Sequence, residues 1–393
     1  MAAINVVRKR GVSIWAGHNK LAFDYWFLLA AAALLVIGFL MVYSTTFDLG
    51  DRFKDNPVYY VTRQMTAMAL GIGVIVVIMQ FDYHALTYIS VPLIAFTCIV
   101  LFLMNLFGQM DAYGAVRTLS DGSYQPSELA KLASIIYVSH WLSSKGDRIR
   151  EMKFGLIPFG IICGVIFGLI VAQPALSAAS LILIINFTLF FVAGADLKQL
   201  LVAGAFAAAG VVIMMLVLPH ASQRVDDYLI AVRDPLQAGY QVRQTLAALA
   251  NGGFWGVGLG QGNQKFGPLP LAHTDGVFAI LGEETGLVGS VGVILLFGFL
   301  IWRGFRVANH ARDPFGFLLA VGITAWIGYQ ALINIAVITA IIPFTGMPMP
   351  FLSYGGSSML MTLVGIGILL NISRDGVGGR QPNRRQPVSN RQD

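Results

Sequence analysis

The stretch from Leu269 to Gly289, LPLAHTDGVFAILGEETGLVG, passes from a polar mouth into an apolar run that continues to Trp302. A helix needs about 20 mostly apolar residues to cross the hydrocarbon of a bilayer, and this run supplies them. The mouth carries His273, Thr274 and Asp275, and the run itself carries Glu283 and Glu284. A charged group at or inside a bilayer costs at least a few kcal/mol, so such groups persist where something pairs or uses them. Asp275 is therefore the first candidate for chemistry, with His273, Thr274 and Glu283 as candidate substrate contacts. Thr and Asp also cap helices well, so a plain N-cap role for Asp275 stands beside the chemical one.

Nine further runs of this kind lie at residues 23–43, 63–81, 86–107, 126–143, 154–171, 176–195, 200–218, 315–342 and 356–372. The chain is 56% hydrophobic and 12% charged, with a mean hydropathy of +0.71, where a soluble domain carries about 25% charged residues. The expected fold is all-α: a polytopic integral membrane protein with about ten transmembrane helices. It forms one membrane domain, residues 23–373, between a segment 1–22 and a tail 374–393. The tail is rich in Gly, Pro, Asn, Gln and Arg and is expected to be disordered. The first run is too long for a removable signal peptide and lacks a small-residue cleavage site. Cys98 and Cys163 sit inside apolar runs as small hydrophobes, so no disulfide framework is suggested.

Ten spans put both termini on one side, and Lys/Arg bias says which. Arg8, Lys9, Arg10 and Lys20 precede the first run, and Arg374, Arg380, Arg384, Arg385 and Arg391 follow the last. Lys145, Arg148, Arg150, Lys153, Lys198, Arg303, Arg306 and Arg312 fall on the same side. These are well over half of the 26 lysines and arginines. Both termini are expected in the cytoplasm, with the basic clusters serving topology and membrane-lipid contact; nucleic acid is not expected as a partner.

That orientation puts the long connection 219–275 outside. Loops of this length are functional or contain helices of their own, and AGYQVRQTLAALA at 238–250 has helical composition. Arg243 and Lys265 can bind an anion there, although a solvated loop charge is the commoner role. The following NGGFWGVGLGQGNQ offers glycines for turns, without the strand, helix or Lys-Ser/Thr that would make a phosphate cradle. The six histidines are scattered and no metal-ligand spacing is visible.

Two more polar constellations accompany this one. QPSELAK at 125–131 opens the fourth run with a helix-starting proline, and Glu128 and Lys131 at i, i+3 can touch. A self-neutralising pair and a substrate-facing pair both fit. PFTGMPMPFLSYGGSS at 343–358 cannot be continuous helix. Irregular backbone at membrane depth is tolerated where it is buried or lines a polar cavity, so Ser353, Tyr354 and Gly355 are expected to wall a site shared with Asp275. Asn186, Gln330 and Asn334 read as interhelical hydrogen bonds.

Together, QPSELAK, GYQVRQTLAALANGGFWGVGLGQGNQKFG, HTD, GEE and PFLSYGGSS resemble the shape, elongation, division and sporulation (SEDS) family of polytopic peptidoglycan polymerases, over essentially the whole chain. GLGQGNQKFG followed by LPLAHTD is more similar to the FtsW branch than to the RodA branch. The resemblance implies a glycosyltransferase in the bacterial cytoplasmic membrane that polymerises lipid II into a nascent glycan strand, in division or elongation. It implies an essential role for Asp275, with Glu128 and Lys131 facing a cavity near it. It also implies a class B penicillin-binding transpeptidase and divisome or elongasome proteins as partners. Leu271, Gly276 and the stretch Gln173 to Ala178 depart from the family pattern, which puts secondary acidic contacts in doubt.

On this reading Asp275 takes the proton of the attacking sugar hydroxyl in an inverting transfer. Arg243, Lys265 and Lys131 are candidate cations for the diphosphate leaving group, with a divalent ion, Mg or Mn, left open. The competing classes are a flippase or transporter of lipid-linked precursors and a scaffold for a transpeptidase. Paired broken helices and internal repeats would favour a transporter, and the sequence displays neither.

Overall fold

The computed structural model describes residues 23–54, 56–107, 125–173, 175–217, 219–234 and 237–378; the segment 1–22 and the tail beyond residue 378 lie outside them. Twelve α-helices occur among the described residues. They are α1 (Tyr25–Lys54), α2 (Tyr59–Ile78), α3 (Ala85–Phe107), α4 (Pro126–Ser143), α5 (Leu156–Val171), α6 (Leu176–Val192), α7 (Leu197–Val217), α8 (Pro219–Arg233), α9 (Tyr240–Gly252), α10 (Val277–Asn309), α11 (Pro314–Ile338) and α12 (Gly356–Gly378). Ten of these match the ten apolar runs, while α8 and α9 form inside the long connection. By length and apolarity alone six helices, α1, α2, α3, α10, α11 and α12, are able to cross a membrane. Among the others α5 and α6 are shorter, at 16 and 17 residues, and α4 is diluted by Glu128, Lys131 and four serines.

Boundaries differ from the apolar runs where polar side chains satisfy the helix. α1 continues well past Tyr43 because Thr45 and Thr46 turn their hydroxyls back to the carbonyls of Met41 and Val42, at 2.8 and 2.7 Å. A hydroxyl bonded one turn back is compatible with helix and need not end it. α11 stops at Ile338 and not at 342, since Ala340 takes a left-handed φ of 55°. α12 runs on to Gly378, into the residues expected to begin the tail.

α11 occupies the centre, packed against α4, α6, α10 and α12. Its surface is apolar nearly all round, as a helix enclosed by others requires, and Trp326 is among the most deeply buried side chains. α1 and α12 both lean on α2, α3 leans on α4, and α5 on α6.

α10 is not one continuous helix. Gly286 adopts φ 67°, ψ −164° and breaks it. The backbone groups freed by the break are taken up by the glycine-rich loop after α9. Val257 and Gly258 donate to the carbonyls of Glu283 and Glu284, each at 3.0 Å, and the loop carbonyls of Gly253 and Phe254 accept from Leu287 (3.0 Å) and Val288 (3.3 Å). This approach is backbone against backbone: a β-carbon on Gly256 would strike the Glu284 carbonyl, and one on Gly286 would strike Phe254 and Gly256. The glycines expected to serve turns also let the loop enter the helix.

At the end of the bundle away from Asp275, Asp24 pairs with Arg303 and accepts from the first turn of α1 through Phe27 N–H at 3.0 Å. There Asp313 caps α11 through Gly316 N–H at 3.0 Å and binds Tyr83, while His84 lies 3.3 Å from Asp313 and 2.6 Å from Asp82. The hydrogen bond to Asp313 pushes His84 up to about 9, against its partial burial and with help from Asp82. Burial alone would raise Asp313, but hydrogen bonds from His84, Tyr83 and Gly316 bring it down to about 2. The contribution of His84 is therefore full below its ordinary value of 6.5 and is lost as pH rises through about 9. That of Asp313 is full above 3.8 and is lost as pH falls through about 2. The melting temperature of the detergent-solubilised protein is expected to fall between pH 6.5 and pH 9 and beyond, with a smaller fall in His84→Gln. An equal fall in both proteins would count against this cluster as the source.

Candidate active site

Residues 339–355, between α11 and α12, form an irregular strap that meets the entry to α10. Tyr354 N–H donates to the carbonyl of His273 at 2.8 Å, and the Ser353 hydroxyl donates to that of Thr274 at 2.5 Å. Buried irregular backbone needs partners, and α11 supplies them from one face. Gln330 donates to the Pro348 carbonyl at 2.9 Å. Asn334, one turn on, donates to the carbonyls of Met347 (2.7 Å) and Asp275 (2.9 Å). These two side chains, expected to bridge helices, thus hold the strap, and Asn334 ties it to Asp275.

The same polar path reaches α4. The buried Lys131 ammonium donates to Glu128 at 2.8 Å and to Gln330 at 2.9 Å, and it lies 5.3 Å from the Trp326 ring. Pro126 opens α4, where its missing N–H costs nothing. Beside the pair, the starts of α4 and α6 and the strap enclose a cleft of about 50 Å³ lined by Gln125, Glu128, Lys131, Ser177, Leu181 and Thr345 together with Gly346. Gly346 has φ 66°, and a β-carbon there would lie 3.1 Å from Asp275 Oδ2. The aspartate carboxylate therefore stands next to the cleft with a glycine between them. The N-cap of α10 is Gly276, with no side-chain capping bond. Asp275 sits one residue too early for the cap role considered for it.

His273 packs between Tyr60 and Tyr354, with ring centroids 6.0 and 5.9 Å away. Burial pushes its imidazole down to about 4, so it is neutral at neutral pH. Burial also raises the Tyr354 phenol, against the pull of the Arg63 guanidinium bonded to it. Arg63 also donates to the Tyr59 hydroxyl at 3.2 Å. Sequence reasoning missed Arg63, because an arginine at the mouth of an apolar run reads as an interfacial anchor. The signal that could have found it is the cluster Tyr59-Tyr60 one turn earlier, which α2 includes.

Other candidates lie elsewhere. Lys265 is buried, with its ammonium on Ser44 Oγ (2.7 Å), the Gly260 carbonyl (2.7 Å) and Glu284 (2.6 Å). Glu283 accepts from the N–H groups of Asn263 (3.1 Å) and Gln264 (3.2 Å), about 12 Å along α10 from Asp275 at 1.5 Å per residue. Both residues fasten the loop to α10 and stand apart from Asp275 along that helix. The Thr274 hydroxyl turns back to Leu271 at 3.2 Å, and Gly355 N–H is held by Gln64 at 3.2 Å. Arg243 is exposed on the first turn of α9, where Gln241 reaches the Pro270 carbonyl at 3.5 Å. Among the described residues no three His, Cys, Asp or Glu side chains converge as metal ligands.

Known proteins are similar to this chain over nearly their full lengths. The chain is 38% identical over 361 residues to stage V sporulation protein E of Bacillus subtilis, covering 91% of this chain and 98% of that one. It is 36% identical over 354 residues to a probable peptidoglycan glycosyltransferase FtsW of Geobacter sulfurreducens, covering 89% and 95%. Among solved structures it is similar to a chain of a peptidoglycan synthase complex that coordinates polymerization and crosslinking. The TM-score there is 0.73 at 29% identity, covering 91% of this chain and 99% of that one. It is also similar to the rod shape determining protein RodA of Thermus thermophilus, with a TM-score of 0.67 at 27% identity, covering 90% and 98%. The cell cycle protein family of FtsW, RodA and SpoVE matches residues 25–376, and with the motifs, the fold and these likenesses in agreement, the chain belongs to that family.

Proposed function

We propose that this protein is a peptidoglycan glycosyltransferase of cell division, polymerising lipid II at the outer face of the cytoplasmic membrane. The observation that carries the reading is Asp275: its backbone is fixed by Asn334, and its carboxylate stands across a glycine from a polar cleft. Transfer requires a sugar 4-hydroxyl to attack the anomeric carbon of a second sugar while a polyprenyl diphosphate leaves, with inversion. Asp275 accepts the hydroxyl proton as the new bond forms. The departing diphosphate needs a cation. Lys265 pairs with Glu284 and Lys131 with Glu128, so Arg63 is the better candidate, with Arg243 exposed on the first turn of α9 as a second. Arg63 lies closest to the catalytic segment in connectivity, bonded to Tyr354, whose N–H binds His273.

The names of the relatives support the reaction, and the likeness to a synthase complex supports a class B transpeptidase as partner. The decisive test is the purified protein supplied with lipid II alone. Glycan strands are expected, and their absence with folded protein would overturn the reading.

The orientation has a separate check. The basic end of the bundle, with Arg303 and Arg374, belongs in the cytoplasm on the positive-inside rule. A reporter fused after Arg391 is expected to register cytoplasm, and one inserted near Gln223, in α8, the exterior. Both on one side would refute the ten-span topology.

A further inference from the structure

The cleft beside Asp275 is lined largely by polar groups, which is the wrong lining for a lipid chain. One wall is the Glu128–Lys131 pair, and Lys131 spends two of its three N–H groups on Glu128 and Gln330. The opposite wall is the strap, where Thr345 Oγ1 is buried without a hydrogen-bond partner. A buried hydroxyl left unpaired is costly, which makes a ligand partner the natural explanation. The Ser177 hydroxyl donates to the Thr345 carbonyl and fixes that residue's place. Leu181 and Met347, both buried, close the remaining side with apolar surface.

A small group with one donor, one acceptor and an apolar end matches these walls. We propose that the cleft seats an acetamido group of a substrate sugar, its N–H toward the Glu128 and Thr345 oxygens, its carbonyl toward Lys131 and its methyl on Leu181 and Met347. This assignment rests on the glycosyltransferase reading and deepens it. A hydroxymethyl offers no methyl to set against Leu181 and Met347. The cleft adjoins Gly346, and Gly346 adjoins Asp275, so an acetamido anchored there sets where the sugar's ring atoms stand relative to the carboxylate. Both sugars of the lipid-linked disaccharide carry this group, and the cleft takes that of one of them.

The test uses full-length protein and substrates in which one N-acetyl at a time is replaced by N-propionyl. One added methylene in a filled pocket is worth about 10- to 200-fold in kcat/KM. The wild type is expected to discriminate by about tenfold or more against propionyl on one sugar and to tolerate it on the other. Whether the discriminated sugar is the one whose anomeric carbon reacts or the one bearing the attacking hydroxyl identifies the occupant. Leu181→Ala is expected to bring the propionyl-to-acetyl ratio to one or above, because it opens the apolar wall. Thr345→Val, a change in the strap that keeps side-chain shape, is expected to raise KM for N-acetyl substrate severalfold and to leave the deacetylated analogue unaffected. A ratio within one preparation does not depend on how much of a variant folds. Equal rates with acetyl and propionyl at both sugars in the wild type would overturn the acetamido site. No polymer from unmodified lipid II would instead overturn the enzymatic reading beneath it.

Discussion

Asp275→Asn is expected to yield a folded, membrane-inserted protein whose polymerisation of lipid II falls by a factor of about 100 to 10,000, the usual worth of a general base. Asparagine keeps the size of the side chain and leaves the backbone carbonyl on Asn334, but it cannot take up the proton of the attacking hydroxyl. Asn and Asp serve helix ends about equally well, so the start of α10 is expected to survive the change. Glycan length and yield from purified variant and parent, at equal folded concentration, give the measurement. Polymer from Asp275→Asn at the parental rate would remove the carboxylate from the chemistry.

The second large effect is on stability. Lys265→Met is expected to destabilise the protein by about 3–5 kcal/mol, because it strands a buried carboxylate. Glu284 is enclosed, with side-chain exposures of 3% for Lys265 and 0% for Glu284, and its remaining partner is the Ser44 hydroxyl at 2.6 Å. The double change Lys265→Met with Glu284→Gln removes both charges and is expected to recover much of the loss. Unfolding of the purified variants in one detergent decides it. Equal losses in single and double variants would mean that the pair is not what holds the loop.

The helices were legible in the sequence because a bilayer demands long apolar runs, and that demand leaves an unambiguous mark. All ten runs became helices, and the strap was legible from residue 343 onward by its prolines and glycines, while 339–342 was expected to be helix. What escaped detection depends on contacts distant in the chain. The break at Gly286 was not legible even though Gly282-Glu283-Glu284-Thr285-Gly286 interrupts the apolar run, because the groups that fill it come from residues 253–258. Lys265 reads as a solvated loop charge until Glu284 and Ser44 are seen to enclose it. Arg63 reads as a membrane anchor until α12 brings Tyr354 to it. Gln330 and Asn334 were legible as buried hydrogen-bonding residues, but their partners were not, because the strap that receives them is not helical. In the site itself Asp275, Glu128 and Lys131 stood out as charges in apolar surroundings, and their separation by Gly346 did not.

The interlock of α10 with the loop at 253–258 limits how the enzyme can open. Withdrawing that loop would strand the carbonyls of Glu283 and Glu284 and the N–H groups of Leu287 and Val288 together, each lost partner a substantial penalty in low-dielectric surroundings. A movement of that cost is closer to local unfolding than to a gate. Residues 253–258 and 283–288 therefore travel as one piece, and any rearrangement that admits substrate must pivot outside them. For the same reason foreign sequence inserted within 253–258 should disrupt the molecule.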